Sequence, residues 1–132
     1  MKMIIGGAFQ GQLAWAKDYL KDHDWKIEEH EWIDGKSCGF EDPCHCRGIY
    51  DFHEYIRRCL KENHEFSGRE VIERNPELVI VTNEIGYGLV PVDAFERKYR
   101  EYTGRICTEL AGASDLVVRV VMGIGTAIKG EL

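Results

Sequence analysis

The sequence predicts an α/β domain with a mostly parallel sheet flanked by helices, and three stretches carry that expectation. A short apolar run at residues 2–5 leads directly into Gly6-Gly7-Ala8-Phe9-Gln10-Gly11, and a helical pattern follows. Residues 78–82, LVIVT, are apolar and β-branched without alternation, as expected of a strand covered on both faces. Residues 93–113 hold the longest stripe at helical spacing, through Phe95, Tyr99, Tyr102, Ile106 and Leu110. Strands that alternate with helices build a layered α/β domain, and 132 residues suffice for one such unit, residues 1–132.

The remaining elements follow in order. Residues 12–21 read as a helix with Leu13, Ala16 and Leu20 on one face. Residues 25–33 read as a second strand in spite of their charges. Residues 34–46, DGKSCGFEDPCHC, are rich in turn formers and read as loop. Residues 49–60 fit a helix through Phe52, Ile56 and Leu60, with a short strand near 46–49 leading in. Ser67 reads as the N-cap of a helix over 67–74, with Glu70 completing a capping box. Residues 116–122 read as the last strand.

Composition excludes several function classes. Apolar residues make up 44% and charged residues 30%, the mix of a globular protein. A net charge of −6 disfavours a nucleic-acid partner, which requires clustered Lys and Arg, but leaves a single nucleotide open. No apolar run is long enough to span a membrane or to serve as a signal peptide, so a cytoplasmic protein with reduced cysteines is expected.

The segment Gly6-Gly7-Ala8-Phe9-Gln10-Gly11-Gln12-Leu13 has both glycines of the phosphate-loop pattern G-x-x-x-x-G-K-S/T. Gln12 stands where the lysine belongs and Leu13 where the magnesium-binding hydroxyl belongs. Backbone N–H groups of the turn and the helix start can still cradle phosphate. The missing electrostatic donor typically costs about two to three orders of magnitude in rate. Nucleotide binding is therefore expected to outlast phosphoryl transfer, with Gln12 offering a neutral hydrogen bond. Lys17 lies further along the same helix and is a doubtful substitute. A tight strand-to-helix turn without ligand is the alternative reading of the two glycines.

Val81-Thr82-Asn83-Glu84-Ile85-Gly86-Tyr87-Gly88-Leu89-Val90-Pro91 is the most informative stretch. A buried strand ends in polar residues, and a glycine-punctuated loop follows. Polar groups at the carboxyl end of a parallel strand sit where α/β sheets bind ligands. Thr82, Asn83 and Gly86 are candidates for a substrate loop. Glu84 could hold a metal-bound water or orient a hydroxyl; a turn cap or an arginine partner is the alternative. Asp51, after the strand near 46–49, is a second candidate acid, with helix capping as its alternative. The residues do not decide between the two.

This run resembles the adenosylcobinamide kinase / adenosylcobinamide-phosphate guanylyltransferase family. So do Gly104-Arg105-Ile106, Leu110-Ala111, Gly123-Ile124-Gly125, Ile128-Lys129 and the opening Ile5-Gly6-Gly7-Ala8. The resemblance is dense over residues 3–14 and 78–129 and thin between. It implies a RecA-like P-loop fold, a homo-oligomer (a trimer in the family), and GTP or ATP with Mg²⁺ as donor. It further implies phosphorylation of the aminopropanol hydroxyl of a corrinoid, then GMP transfer through a guanylylated histidine. The chain is short where the family carries that histidine, and His30, His45, His53 and His64 match no motif, which places the guanylyltransferase half in doubt.

Other residue groups carry weaker signals. Cys38, Cys44, His45 and Cys46, with His53 and Cys59, invite a zinc reading, but C-x₅-C-x-C is not a standard zinc spacing, and no metal ligand is assigned. Cys107 reads as packing. Trp15 and Trp32 are assigned no role beyond core or interface. Arg97, Lys98 and Arg100 read as solvated charge.

Overall fold

The computed structural model describes residues 1–86, 88–90 and 92–132, so Tyr87 and Pro91 of the glycine-punctuated run lie outside the described residues. The chain runs through β1 (Lys2–Gly6), α1 (Gln12–Asp22), β2 (Trp32–Asp34), β3 (Gly48–Tyr50), α2 (Phe52–Lys61), α3 (Gly68–Arg74), β4 (Val79–Asn83), α4 (Ala94–Ala113), β5 (Leu116–Val121) and β6 (Ile124–Lys129). The strands form one sheet in the order β2-β3-β4-β1-β5-β6. It is parallel from β2 to β5, and only β6 runs antiparallel, to β5. No helix among the described residues is long and apolar enough to cross a membrane.

Strand alternation sorts the core into two layers. Met3, Ile80 and Val117 face one side and pack with Phe52, Tyr55, Ile56 and Cys59 of α2, Val71 of α3, and Tyr99, Ile106 and Leu110 of α4. Ile4, Val79, Val81, Val118 and Val120 face the other side and pack with Ala16 and Leu20 of α1. The central strands β1 and β4 are therefore apolar on both faces, which accounts for the unbroken LVIVT run.

Local chemistry sets the helix ends. The Asp93 carboxylate accepts from the Phe95 and Glu96 N–H groups at 2.7 and 3.2 Å and caps α4. Ser67 Oγ accepts from Glu70 N–H at 3.1 Å, while the Glu70 carboxylate turns to Arg74 at 2.9 Å. α1 differs: its N-cap is Gly11, in the left-handed region at φ 86°, with no side-chain cap and no acid in the first turn. Its leading N–H groups lack a built-in anionic partner.

Four expectations need correction. The strand expected over 25–33 is confined to Trp32–Asp34, because Glu29–Glu31 forms a 3₁₀ turn closed by a reciprocal capping box between Glu28 and Glu31. The helix expected from residue 49 begins at Phe52: Ile49 and Tyr50 belong to β3, and Asp51 breaks the chain direction at φ 51°. The strand over 116–122 is not the last, since Met122 and Gly123, both at positive φ, turn the chain into β6. Arg97 and Arg100 are not merely solvated. Arg97 donates to the Val92 carbonyl, and Arg100 donates to the carbonyls of Gly86 and of Leu89, the latter at 3.1 Å, tying the loop after β4 to α4.

Two positions test the packing. Gly48 of β3 lies under the indole of its cross-strand neighbour Trp32, and a Cβ there would meet ring atoms at 2.6 Å. Gly48→Ala is expected to destabilise the fold by about 1–3 kcal/mol, read as a lower urea midpoint. The Thr103 hydroxyl is buried in α4 without a hydrogen-bond partner among the described residues. Thr103→Val is accordingly expected to leave stability unchanged or raise it by about 1 kcal/mol in the same assay.

Candidate functional site

The carboxyl ends of β1, β3 and β4 open onto a cleft of about 520 Å³. Ala8, Phe9, Gln12 and Leu13 form one wall, Tyr50, Asp51, His53 and Glu54 another, Val81, Thr82 and Asn83 the floor, and Lys36 a corner. This is the sheet end at which parallel α/β folds bind ligands.

The glycine-bearing turn is held from several sides. Gly6 C=O accepts from Glu84 N–H at 2.7 Å. Gln10 C=O accepts from Gly123 N–H at 2.9 Å, and Gln10 Oε1 accepts from Met122 N–H at 2.8 Å, docking the turn on the β5–β6 hairpin. Gly7 and Ala8 complete the turn. Phe9 sits at φ 59° with its ring fully exposed at the cleft mouth. A left-handed non-glycine residue costs roughly 1–2 kcal/mol, and strain of this kind collects at ligand sites.

Gln12 does something the sequence did not reveal. Its side chain is 6% exposed. Its Nε2 donates to Gly7 C=O at 2.8 Å and to Asn83 Oδ1 at 3.0 Å. A primary amide has two N–H bonds, and both are used. Gln12 therefore fastens the turn to the end of β4, and both of its N–H donors are engaged within the protein. Leu13 lines the cleft with carbon only. Lys17 points away from the cleft, its Nζ 2.8 Å from Glu29.

His53 is one of the four histidines that sequence reading left without a motif. It is buried in the first turn of α2, and its Nδ1 accepts from Asn83 N–H at 3.1 Å. Thr82 Oγ1 lies 3.5 Å from the same nitrogen. The ring is therefore the neutral tautomer with its proton on Nε2, which lies 3.8 Å from the Glu54 carboxylate. Burial pushes the imidazole below its ordinary value of 6.5, against the pull of Glu54 and Asp51. Tyr99 Oη donates to the His53 carbonyl at 2.8 Å and fixes the helix start from the α4 side.

The two candidate acids separate in space. Asp51 lines the cleft, and its carboxylate makes no cap on α2; instead it lies 3.3 Å from Lys36 Nζ. That hydrogen bond holds the Lys36 ammonium above its ordinary range. Glu84 lines a second, mostly apolar cavity of about 250 Å³ with Gly86, Thr103 and Cys107, and meets Arg119 Nε at 3.3 Å. Thr82 and Asn83 border both cavities. The cleft's carboxylates are Asp51 and Glu54, hard oxygen donors of the kind Mg²⁺ takes.

The cysteines are free thiols in or against the core. Burial pushes the Cys46 thiol up to about 12 and those of Cys59 and Cys107 up to about 11. Among the described residues, one group has metal-ligand spacing, Glu41, Cys44 and Glu70, and Arg74 already sits against both carboxylates at 3.5 and 2.9 Å.

Two outcomes test the geometry. Gln12→Leu leaves Gly7 C=O and Asn83 Oδ1 without their donor and is expected to cost about 1–3 kcal/mol in chemical denaturation. As pH falls through 6.5 the unfolded chain protonates His53 before the folded protein does, so stability should decline below that pH until the folded imidazole titrates. His53→Asn, which keeps an acceptor for Asn83 N–H, should flatten that decline in urea titrations across pH.

Comparison with known proteins gives this geometry a family. The model described as cobinamide kinase / cobinamide phosphate guanyltransferase matches residues 48–128, well over half of the chain. The bifunctional adenosylcobalamin biosynthesis protein CobU of Salmonella typhimurium strain LT2 is 47% identical over 53 residues, which cover 40% of this chain and 29% of that protein. Its namesake from Escherichia coli K12 is 45% identical over 53 residues, with the same coverage. The aligned stretch is thus less than a third of each relative's length. The family match runs from β3 through α4 to β6 and includes Asp51, His53, Thr82, Asn83 and Glu84. On this evidence the chain belongs to the cobinamide kinase / cobinamide phosphate guanyltransferase family.

Proposed function

We propose that the chain is a single P-loop-type nucleotide-binding domain of RecA-like architecture. In this reading its cleft binds GTP or ATP and passes the terminal phosphoryl group to the aminopropanol hydroxyl of a corrinoid. The observation that carries this reading is the convergence of an uncapped helix start, a glycine-bearing turn and the Asp51 carboxylate on one cleft at the carboxyl end of the sheet. Backbone N–H groups at the start of α1 suit phosphate oxygens, and the helix dipole adds to their pull.

Asp51, rather than Glu84, is the acid this reading places in the reaction, because it shares the cleft with the turn. It would accept the proton of the attacking hydroxyl or hold Mg²⁺ together with Glu54. Mg²⁺, when bound, would offset charge on the phosphate oxygens. Thr82 and Asn83 form the floor, with Gly86 in the loop above the neighbouring cavity. The GMP-transfer half is not part of the proposal. A histidine nucleophile needs a bare ring nitrogen facing the ligand, and in His53 the Nδ1 lone pair is engaged by Asn83 while Nε2 carries the proton. A homo-oligomer fits the exposed apolar side chains Met122, Ile124 and Ile128 along the β5–β6 hairpin.

A second reading is a nucleotide- or corrinoid-binding protein with little or no transfer activity. The engaged amide of Gln12 and the carbon-only Leu13 favour it. Transfer of label from γ-labelled GTP or ATP to adenosylcobinamide separates the two. Transfer is expected, with Asp51→Asn slowing it by about two orders of magnitude or more and Glu84→Gln leaving it within severalfold. Saturable nucleotide binding by calorimetry without any label in the corrinoid would establish the second reading instead.

A further inference from the structure

We propose that Lys36, in the loop after β2, is the cation that receives the polyphosphate of the cleft's ligand, a role that position 12 has given up. The proposal rests on the reading of the cleft as a nucleotide site. Among the described residues lining the cleft, Lys36 is the one lysine or arginine. Both donors of Gln12 are spent within the protein, and Lys17 is held by Glu29.

The loop that carries Lys36 is built to hold a lysine in place. Asp34 Oδ1 accepts from Lys36 N–H at 2.9 Å, and Asp34 C=O accepts from the N–H groups of Ser37 and Cys38 at 3.1 and 2.9 Å. Gly35 N–H donates to Tyr50 C=O at 2.8 Å, and Gly35 C=O accepts from Arg58 at 2.9 Å. Any side chain at position 35 would collide with the Asp51 carbonyl, whose oxygen lies 2.2 Å from the place of a Cβ. The backbone on either side of Lys36 is thus pinned to β3 and α2.

Its side chain, by contrast, is 61% exposed and held by one carboxylate, Asp51, at 3.3 Å. An ion pair this exposed is weak and readily exchanged. A polyphosphate, with more charge and more acceptor oxygens, would displace Asp51 from the ammonium. The ligand class is therefore a nucleoside di- or triphosphate or another polyphosphate, rather than a neutral or monoanionic compound.

The test is calorimetric binding of inorganic tripolyphosphate and of a nucleotide (GTP, then ATP), each with Mg²⁺, to the full chain and to Lys36→Met and Lys36→Arg. Lys36→Met is expected to weaken both ligands by about tenfold or more and to reduce the salt dependence of binding. Lys36→Arg should recover most of the loss. Thermal unfolding without ligand should be unchanged in both variants, since the side chain supports no core contact. Wild-type affinity in Lys36→Met for both ligands would overturn the proposal and leave the nucleotide reading intact. Lys36-dependent binding of tripolyphosphate, with neither GTP nor ATP bound more tightly, would support Lys36 and remove the nucleotide reading. Binding of neither ligand by the wild-type chain would overturn both.

Discussion

The site depends on one side-chain amide. Gln12 donates to the backbone of the glycine-bearing turn and to Asn83 at the end of the central strand. Asn83 in turn donates its N–H to His53, and Tyr99 seals the His53 carbonyl from the opposite helix. Four elements, α1, β4, α2 and α4, are linked by this chain of hydrogen bonds around the mouth of the sheet. Reversing the Gln12 amide would set its oxygen against two other oxygens, so the network admits one orientation. Buried networks of this kind are costly when broken and rigid when complete.

That rigidity has a chemical consequence. A lysine at position 12 would be free to reach a ligand, because an ammonium on a long stem can leave the wall. The glutamine here is committed to the wall. The turn keeps its shape without ligand, and in the proposed reading the positive charge for phosphate would come from elsewhere. The family match begins at residue 48, so the turn, α1 and the Lys36 loop all precede it. The cleft thus joins a wall inside that match, carrying Asp51 and Asn83, to a wall that lies before it.

Much of the fold was legible because its signals are local. The apolar runs marked β1 and β4, the stripe through Tyr99, Ile106 and Leu110 marked α4, and Ser67 marked the start of α3. The mixed, mostly parallel sheet followed from their alternation. What stayed hidden depends on partners distant in sequence. Ile49 fits a helical stripe as well as a strand, and only pairing with Ile80 decides the matter. β6 is an exposed edge strand without a two-sided apolar signature. Arg100 looked solvated because the carbonyls it binds, of Gly86 and Leu89, lie in a loop away from its own helix. Of the cleft lining, spacing and position singled out the turn and gave Asp51 as one of two candidate acids. They did not single out His53 or Lys36, although the rule that ligands sit beyond the carboxyl ends of strands would have pointed to Lys36 once β2 was placed.

The geometry also orders the two chemistries in the family's name. Transfer of a phosphoryl group to a bound hydroxyl asks the protein for positioning, charge and a proton acceptor, and in the proposed reading the helix start, Lys36 and Asp51 would serve these. Transfer of a nucleotidyl group through histidine asks for an unprotonated nitrogen aimed at the ligand. His53 is the histidine lining the cleft, and it serves the backbone of β4 through the nitrogen that would have to attack. Moving its proton from Nε2 to Nδ1 would set two N–H groups against each other and break the hydrogen bond that orients Asn83, and with it the grip of Gln12 on the turn. The same network that shapes the cleft therefore engages the Nδ1 lone pair of the histidine that lines it.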